Sequence, residues 1–104
     1  MKLVSLALLF GASLFASAPA LASKELATKN ACMACHATDK KLVGPAYQDV
    51  AKKYAGQKDA EASLLASIKK GGSGKWGAVP MPAQATLSDV DAKVLAAWIL
   101  GGAK

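Results

Sequence analysis

Hydrophobic positions along the chain form one long apolar run and then several short sets spaced three and four apart. The run is LVSLALLFGASLF at residues 3–15, followed by ASAPALAS, and no charge occurs between Lys2 and Lys24. Beyond it, SKELATKNACMAC at 23–35 holds good helix formers with Leu26 as the main apolar anchor, which predicts a first helix ending near His36. Tyr47, Val50, Ala51 and Tyr54 recur at i, i+3, i+4 and i+7, a second helix with Pro45 in its first turn and Gly56 at its stop. Asp59 suits the cap of a third, in which Leu64, Leu65 and Ile68 share a face and Lys69 and Lys70 sit at the negative end of the dipole. Ser88 and Asp91 form a capping box with Asp in place of Glu, and Val94, Leu95, Trp98 and Ile99 line one side of the final helix. HATDKKLVG and the long GGSGKWGAVPMPAQATL, with its four glycines and two prolines, are irregular. No alternating strand pattern occurs, so the fold class is all-α with about four short helices.

The apolar run has the composition of a secretory signal peptide: a basic start, an apolar centre, and small residues at Ala20 and Ala22 before a cleavage point. Residues 1–22 are therefore expected to be removed, leaving 23–104 as one domain. An uncleaved anchor is the rival, although Gly11, Ser13, Ser17 and Pro19 weaken the span. Either way the functional part lies outside the cytoplasm. The mature chain keeps 12 lysines against 7 carboxylates, a net charge of +5 with no arginine. So small a domain with few large aliphatic residues usually needs a staple. A Cys32–Cys35 disulfide closes too small a loop to supply one.

Both cysteines and the single histidine fall within ACMACH, residues 31–36. On a helix, Cys32, Cys35 and His36 at i, i+3 and i+4 point to one face. Two thiols can add across the vinyl groups on one side of a haem, while the adjacent imidazole reaches the iron. C-x-x-C-H is the attachment signature of c-type haem. A thioredoxin-like dithiol would need a βαβ context, and a zinc site would need carboxylates to complete about four ligands.

His36 supplies one axial position of such an iron. Elimination points to Met81 for the other: no second histidine exists, Met1 leaves with the signal, and Met33 lies between the anchored cysteines. Met81 sits in VPMPA, where Pro80 and Pro82 stiffen the backbone. A lysine or an open position are the alternatives.

With ACMACH, LVGPAYQDVAKKYAG, IKKGGSGKWG, VPMP and the terminal AAWIL, the chain resembles a small monohaem class I c-type cytochrome of the bacterial five-fifty-one kind. The resemblance covers nearly all of the mature chain. It implies helices wrapped round one covalently bound haem c, with the first and last crossing near Leu26 and Trp98. It further implies that the Pro45 carbonyl accepts a hydrogen bond from the His36 ring, and that the Trp76 indole N–H meets a haem propionate. This chain departs from some relatives at three positions. Ser67 replaces an arginine near the propionates, Gln84 replaces an asparagine near the methionine sulfur, and Ala83 replaces a proline.

Two protein ligands on the iron leave no vacancy for a substrate. The expected function is a soluble periplasmic electron carrier with no substrate of its own. Its partners would be acidic redox proteins, such as a membrane cytochrome complex and a terminal reductase or oxidase. No nucleic acid, no stable membrane insertion and a monomeric state complete the expectation. Lys40, Lys41 and Lys75 are candidates for a basic docking rim. The alternative is a haem protein with an open axial site, acting as a small peroxidase or a haem-based sensor.

Overall fold

The computed structural model describes residues 19–104. Most of the expected signal segment lies outside the described residues, and its expected boundary after Ala22 falls inside the first helix. Four helices make up the described chain: α1 (Pro19–Lys29), α2 (Tyr47–Tyr54), α3 (Ala60–Lys70) and α4 (Asp89–Leu100), with a single 3-10 turn at Cys32–Ala34. Among the described residues, β-type pairing is confined to two isolated bridges, His36 with Lys41 and Gly72 with Met81. No described helix is long and apolar enough to cross a membrane.

The last helix organises the others, since α1, α2 and α3 each pack against α4. Its small Ala92 and Ala96 are fully buried and allow close approach, while Leu95, Trp98 and Ile99 fill the space beside them. Tyr47, Val50 and Tyr54 come in from α2, and Leu64 and Ile68 from α3. Leu26 of α1 packs against this same cluster, of which Trp98 is a member. The short helices thus hold one another, which none could do alone.

Four expectations need correction. The first helix does not continue to the histidine: it stops at Lys29, because the Asn30 side chain folds back to donate to the Leu26 carbonyl (2.8 Å) and Ala31 turns left-handed at φ 60°. Pro45 lies just before α2 rather than in its first turn, with Ala46 at the N-cap. Asp59 occupies the N-cap of α3 but makes no side-chain cap bond. Val94, expected on the packed side of α4, is 43% exposed, because the stripe facing the core runs through Ala92, Leu95, Ala96 and Ile99 instead. The Ser88 cap holds as expected, its hydroxyl accepting from the Asp91 N–H at 3.1 Å.

Candidate haem site

After the break at Asn30–Ala31, the cysteine segment winds into a tighter turn. Cys35 N–H and His36 N–H both donate to the Cys32 carbonyl, at 3.2 and 3.0 Å. A 3-10 turn over Cys32–Ala34, followed by this one longer i to i+4 bond at His36, carries the three side chains to one cavity, where a continuous α-helix was expected to do so. Both thiols are free and half-buried. Burial pushes the Cys32 thiol above its ordinary range, partly offset by hydrogen bonding. Among the described residues the elements are helices and one 3-10 turn, which gives no βαβ context for a thioredoxin-like dithiol. No three His, Cys, Asp or Glu side chains among the described residues are grouped as a metal cluster, so the zinc arrangement is not built either.

The His36 ring is fixed on two sides. Its Nδ1 lies 2.7 Å from the Pro45 carbonyl oxygen, which can only accept, so Nδ1–H donates to it and Nε2 is the ring nitrogen left for another partner. Tyr47 stacks on the ring at 5.0 Å between centroids and 18° between planes, and meets Trp98 edge-on at 5.4 Å. Burial, with smaller contributions from the neighbouring Cys32, raises the Tyr47 phenol above its usual range, so it remains a neutral hydroxyl. The loop is stitched back by Gly44 N–H to the Cys35 carbonyl (2.7 Å) and Tyr47 N–H to the Ala37 carbonyl (2.9 Å). Gly44 is required here: a Cβ on it would stand 2.5 Å from His36 Cε1 and 2.9 Å from Nδ1.

Met81 is held through its backbone. Its N–H donates to the Gly72 carbonyl (2.8 Å) and its carbonyl accepts from the Gly72 N–H (3.1 Å), which ties the loop to the end of α3. Gly71 has φ +67°, and a Cβ there would strike the Met81 carbonyl oxygen. Further along, Gln84 N–H bonds the Ile68 carbonyl (3.0 Å), and Lys69 Nζ bonds the Leu87 carbonyl and pairs with Asp89 at 3.2 Å. The Gln84 side-chain amide donates to the Pro82 carbonyl (3.3 Å) and not to the Met81 sulfur. Trp76 is 39% exposed at the rim, with Lys53 Nζ 4.5 Å over its ring.

All six residues singled out in the sequence border one cavity of about 880 Å³: Cys32, Cys35, His36, Pro45, Trp76 and Met81. That volume is at the upper end for small-molecule sites. Leu64, Ile68, Leu95 and Ile99 give it an apolar lining, and Lys41, Lys70 and Lys75 are its charged members, with no Asp or Glu. The donor set fits a haem. Two thiols stand ready for covalent attachment, one imidazole nitrogen and one thioether are available to iron, the walls suit an apolar macrocycle, and only cations meet the acidic edge. Tyr47, Gly44, Gly71 and Lys69 were not recognised from the sequence as site residues. The glycine next to Pro45 and the Gly71–Gly72 pair after the third helix were the available signal.

Residues 20–103 match the family model described as cytochrome c. The chain is 61% identical over 79 residues to cytochrome c-552 of Hydrogenobacter thermophilus, spanning 76% of this chain and 80% of that protein. It is 50% identical over 96 residues to cytochrome c-551 of Pseudomonas aeruginosa, covering 91% of each. The crystal structure of wild-type Nitrosomonas europaea cytochrome c552 superposes with a TM-score of 0.74 at 52% identity, over 76% of this chain and 98% of that one. The chain therefore belongs to the cytochrome c family, with an electron-transfer role, and the group that its cavity takes is haem c, attached through Cys32 and Cys35.

Proposed function

We propose that the protein is an exported, periplasmic electron carrier in which His36 and Met81 are the axial ligands of its haem iron. The observation that carries this reading is that residues from distant parts of the chain, Cys32, Cys35, His36 and Met81, border one cavity. When bound, haem c supplies a one-electron iron couple. Each side chain has a separable task around it. Cys32 and Cys35 anchor; His36 offers Nε2, oriented by Pro45 and Tyr47; Met81 offers its sulfur from a backbone clamped to Gly72. Trp76 contributes an indole N–H at the acidic edge. Leu64, Ile68, Leu95 and Ile99 exclude water and so limit reorganisation when charge changes.

Docking would use the rim. Val43 and Val79 border the cavity and are exposed, and Leu42 is exposed beside Val43. Lys40 and Lys41 are exposed on the same loop. A small apolar mouth with cations beside it suits brief encounters with acidic redox proteins. Cleavage after Ala22 would release residues 23–104 as the working domain.

Acid–acetone extraction tests attachment: haem should stay with the polypeptide, and free haem in the organic layer would overturn the reading. Met81→Ala should open a coordination position while leaving the thioether links intact. External ligands should then bind more readily, the reduction potential should fall, and the weak far-red sulfur-to-iron absorption of the oxidised parent should vanish. A parent lacking that absorption, with an unchanged spectrum in the variant, would assign the position to another group. Intact mass of the exported protein should start at Ser23.

A further inference from the structure

At the mouth of the cavity two neighbouring residues of α2 pair crosswise with two neighbouring residues of the long loop. Lys53 Nζ lies over the Trp76 ring and donates to the Lys75 carbonyl at 3.1 Å. In return Lys75 Nζ donates to the Tyr54 hydroxyl at 3.2 Å and lies 5.8 Å from the centre of that ring. Tyr54, Lys75 and Trp76 all border the cavity.

Neither lysine of this clasp has a carboxylate partner, since the ion pair among the described residues is Lys69–Asp89. The Tyr54 hydroxyl satisfies one of the three donors of the Lys75 ammonium and brings no charge. Lys75 is exposed at the cavity rim, so its remaining donors are open to an anion there, to which an ammonium makes a charge-assisted hydrogen bond. The cavity wall supplies none, as it contains no Asp or Glu. The propionate side chains of haem c are carboxylates. Position 67 is a neutral serine and offers them no cation, and its hydroxyl already donates to the Ser63 carbonyl at 3.1 Å. Lys41 and Lys70 also border the cavity, but of the three lysines Lys75 is the one whose ammonium is held by another side chain.

We propose that Lys75, positioned by the Tyr54 hydroxyl, is the cation that pairs with a propionate carboxylate of the bound haem, while Lys53 on Trp76 holds the loop that carries it. This rests on haem occupying the cavity as described above. Removing the ammonium leaves a negative charge uncompensated near the iron. That favours the oxidised, more positive state and lowers the reduction potential.

The test uses the purified holoprotein and its Lys75→Met, Lys75→Arg, Tyr54→Phe and combined Lys75→Met/Tyr54→Phe variants, with Lys93→Met as a surface control. Two quantities are read: the equilibrium potential, and the haem carboxylate stretches in the redox-difference infrared spectrum. Lys75→Met should lower the potential and shift the carboxylate stretches, and Lys75→Arg should keep most of the parent behaviour. Tyr54→Phe should move both readouts the same way by less, and should add little on top of Lys75→Met, as expected of two residues acting as one unit. A Lys75→Met variant matching Lys93→Met in both readouts would overturn the proposal. So would an unchanged potential with only a slower reaction with ferricyanide, which would assign the lysine to anions from outside. Full additivity in the double variant would remove Tyr54 from the account. Loss of the parent's haem to acid–acetone would instead remove the attachment on which the proposal rests.

Discussion

His36 is held by a carbonyl at one ring nitrogen and by the Tyr47 face, with Gly44 leaving just enough room for the ring. The crowding sets a prediction at the scale of one atom. Gly44→Ala would drive a methyl into the imidazole, and overpacking of this kind costs about 1–3 kcal/mol. Denaturant unfolding of the holoprotein should show that loss, and an unchanged midpoint would mean that the loop yields freely. At the other expected ligand, Gly71→Ala combines a left-handed backbone with a clash on the Met81 carbonyl. It should weaken the far-red sulfur-to-iron absorption without releasing haem, since the cysteine anchors are untouched. The sequence marks Cys32, Cys35 and His36 by their clustering and Met81 by elimination. The steric role of the two glycines was not legible, because it depends on what stands opposite each missing Cβ.

Helix starts and stops separate local signals that are sufficient from those that are not. Ser88 and Asp59 both read as caps, yet only the Ser88 hydroxyl receives a backbone N–H. Ser88→Ala should therefore cost about 1 kcal/mol, the usual value of an N-cap bond, whereas Asp59→Ala should cost much less. Chemical denaturation of the two variants checks the contrast, and equal losses would mean that Asp59 caps α3 in solution. The break between α1 and the 3-10 turn escaped the pattern because SKELATKNACMAC has helical propensity throughout. What ends the helix is one Asn30 side chain turned back on Leu26 and a left-handed Ala31. Val94 was misplaced for a related reason: Ala92 and Ala96 look weakly apolar in sequence, yet they are fully buried and belong to the core-facing stripe.

For the molecule as a whole, the net charge of the expected mature chain, +5, gives a field that should speed encounters with acidic partners. The structure divides the lysines expected at the rim. All three are exposed, but Lys40 and Lys41 have no side-chain partner, whereas the Lys75 ammonium donates to the Tyr54 hydroxyl. Replacing the Lys40–Lys41 pair by Gln should slow bimolecular electron transfer with an acidic partner at low salt more than Lys93→Gln does, with little change in potential. The difference should fade as salt rises, since screening acts over about 8 Å at physiological strength. Identical rates and salt slopes across these variants would leave docking to the apolar mouth of Leu42, Val43 and Val79.

The all-α class, the positions of α2, α3 and α4, the Ser88 cap and the residues that identify the cofactor are all readable along the chain. These depend on spacing along the chain and on the scarcity of alternatives: one histidine, two cysteines, and one methionine left in a suitable place. How the site is supported is settled by contacts between elements. The Gly72–Met81 bridge, the Lys69 contacts to Leu87 and Asp89, the Tyr47 stack and the crosswise pairing of Lys53–Tyr54 with Lys75–Trp76 all join segments that sequence patterns treat separately. Helical periodicity reports which face of an element is apolar. It carries no information about which side chain of another element meets that face, because that is set by the packing of α1, α2 and α3 on α4.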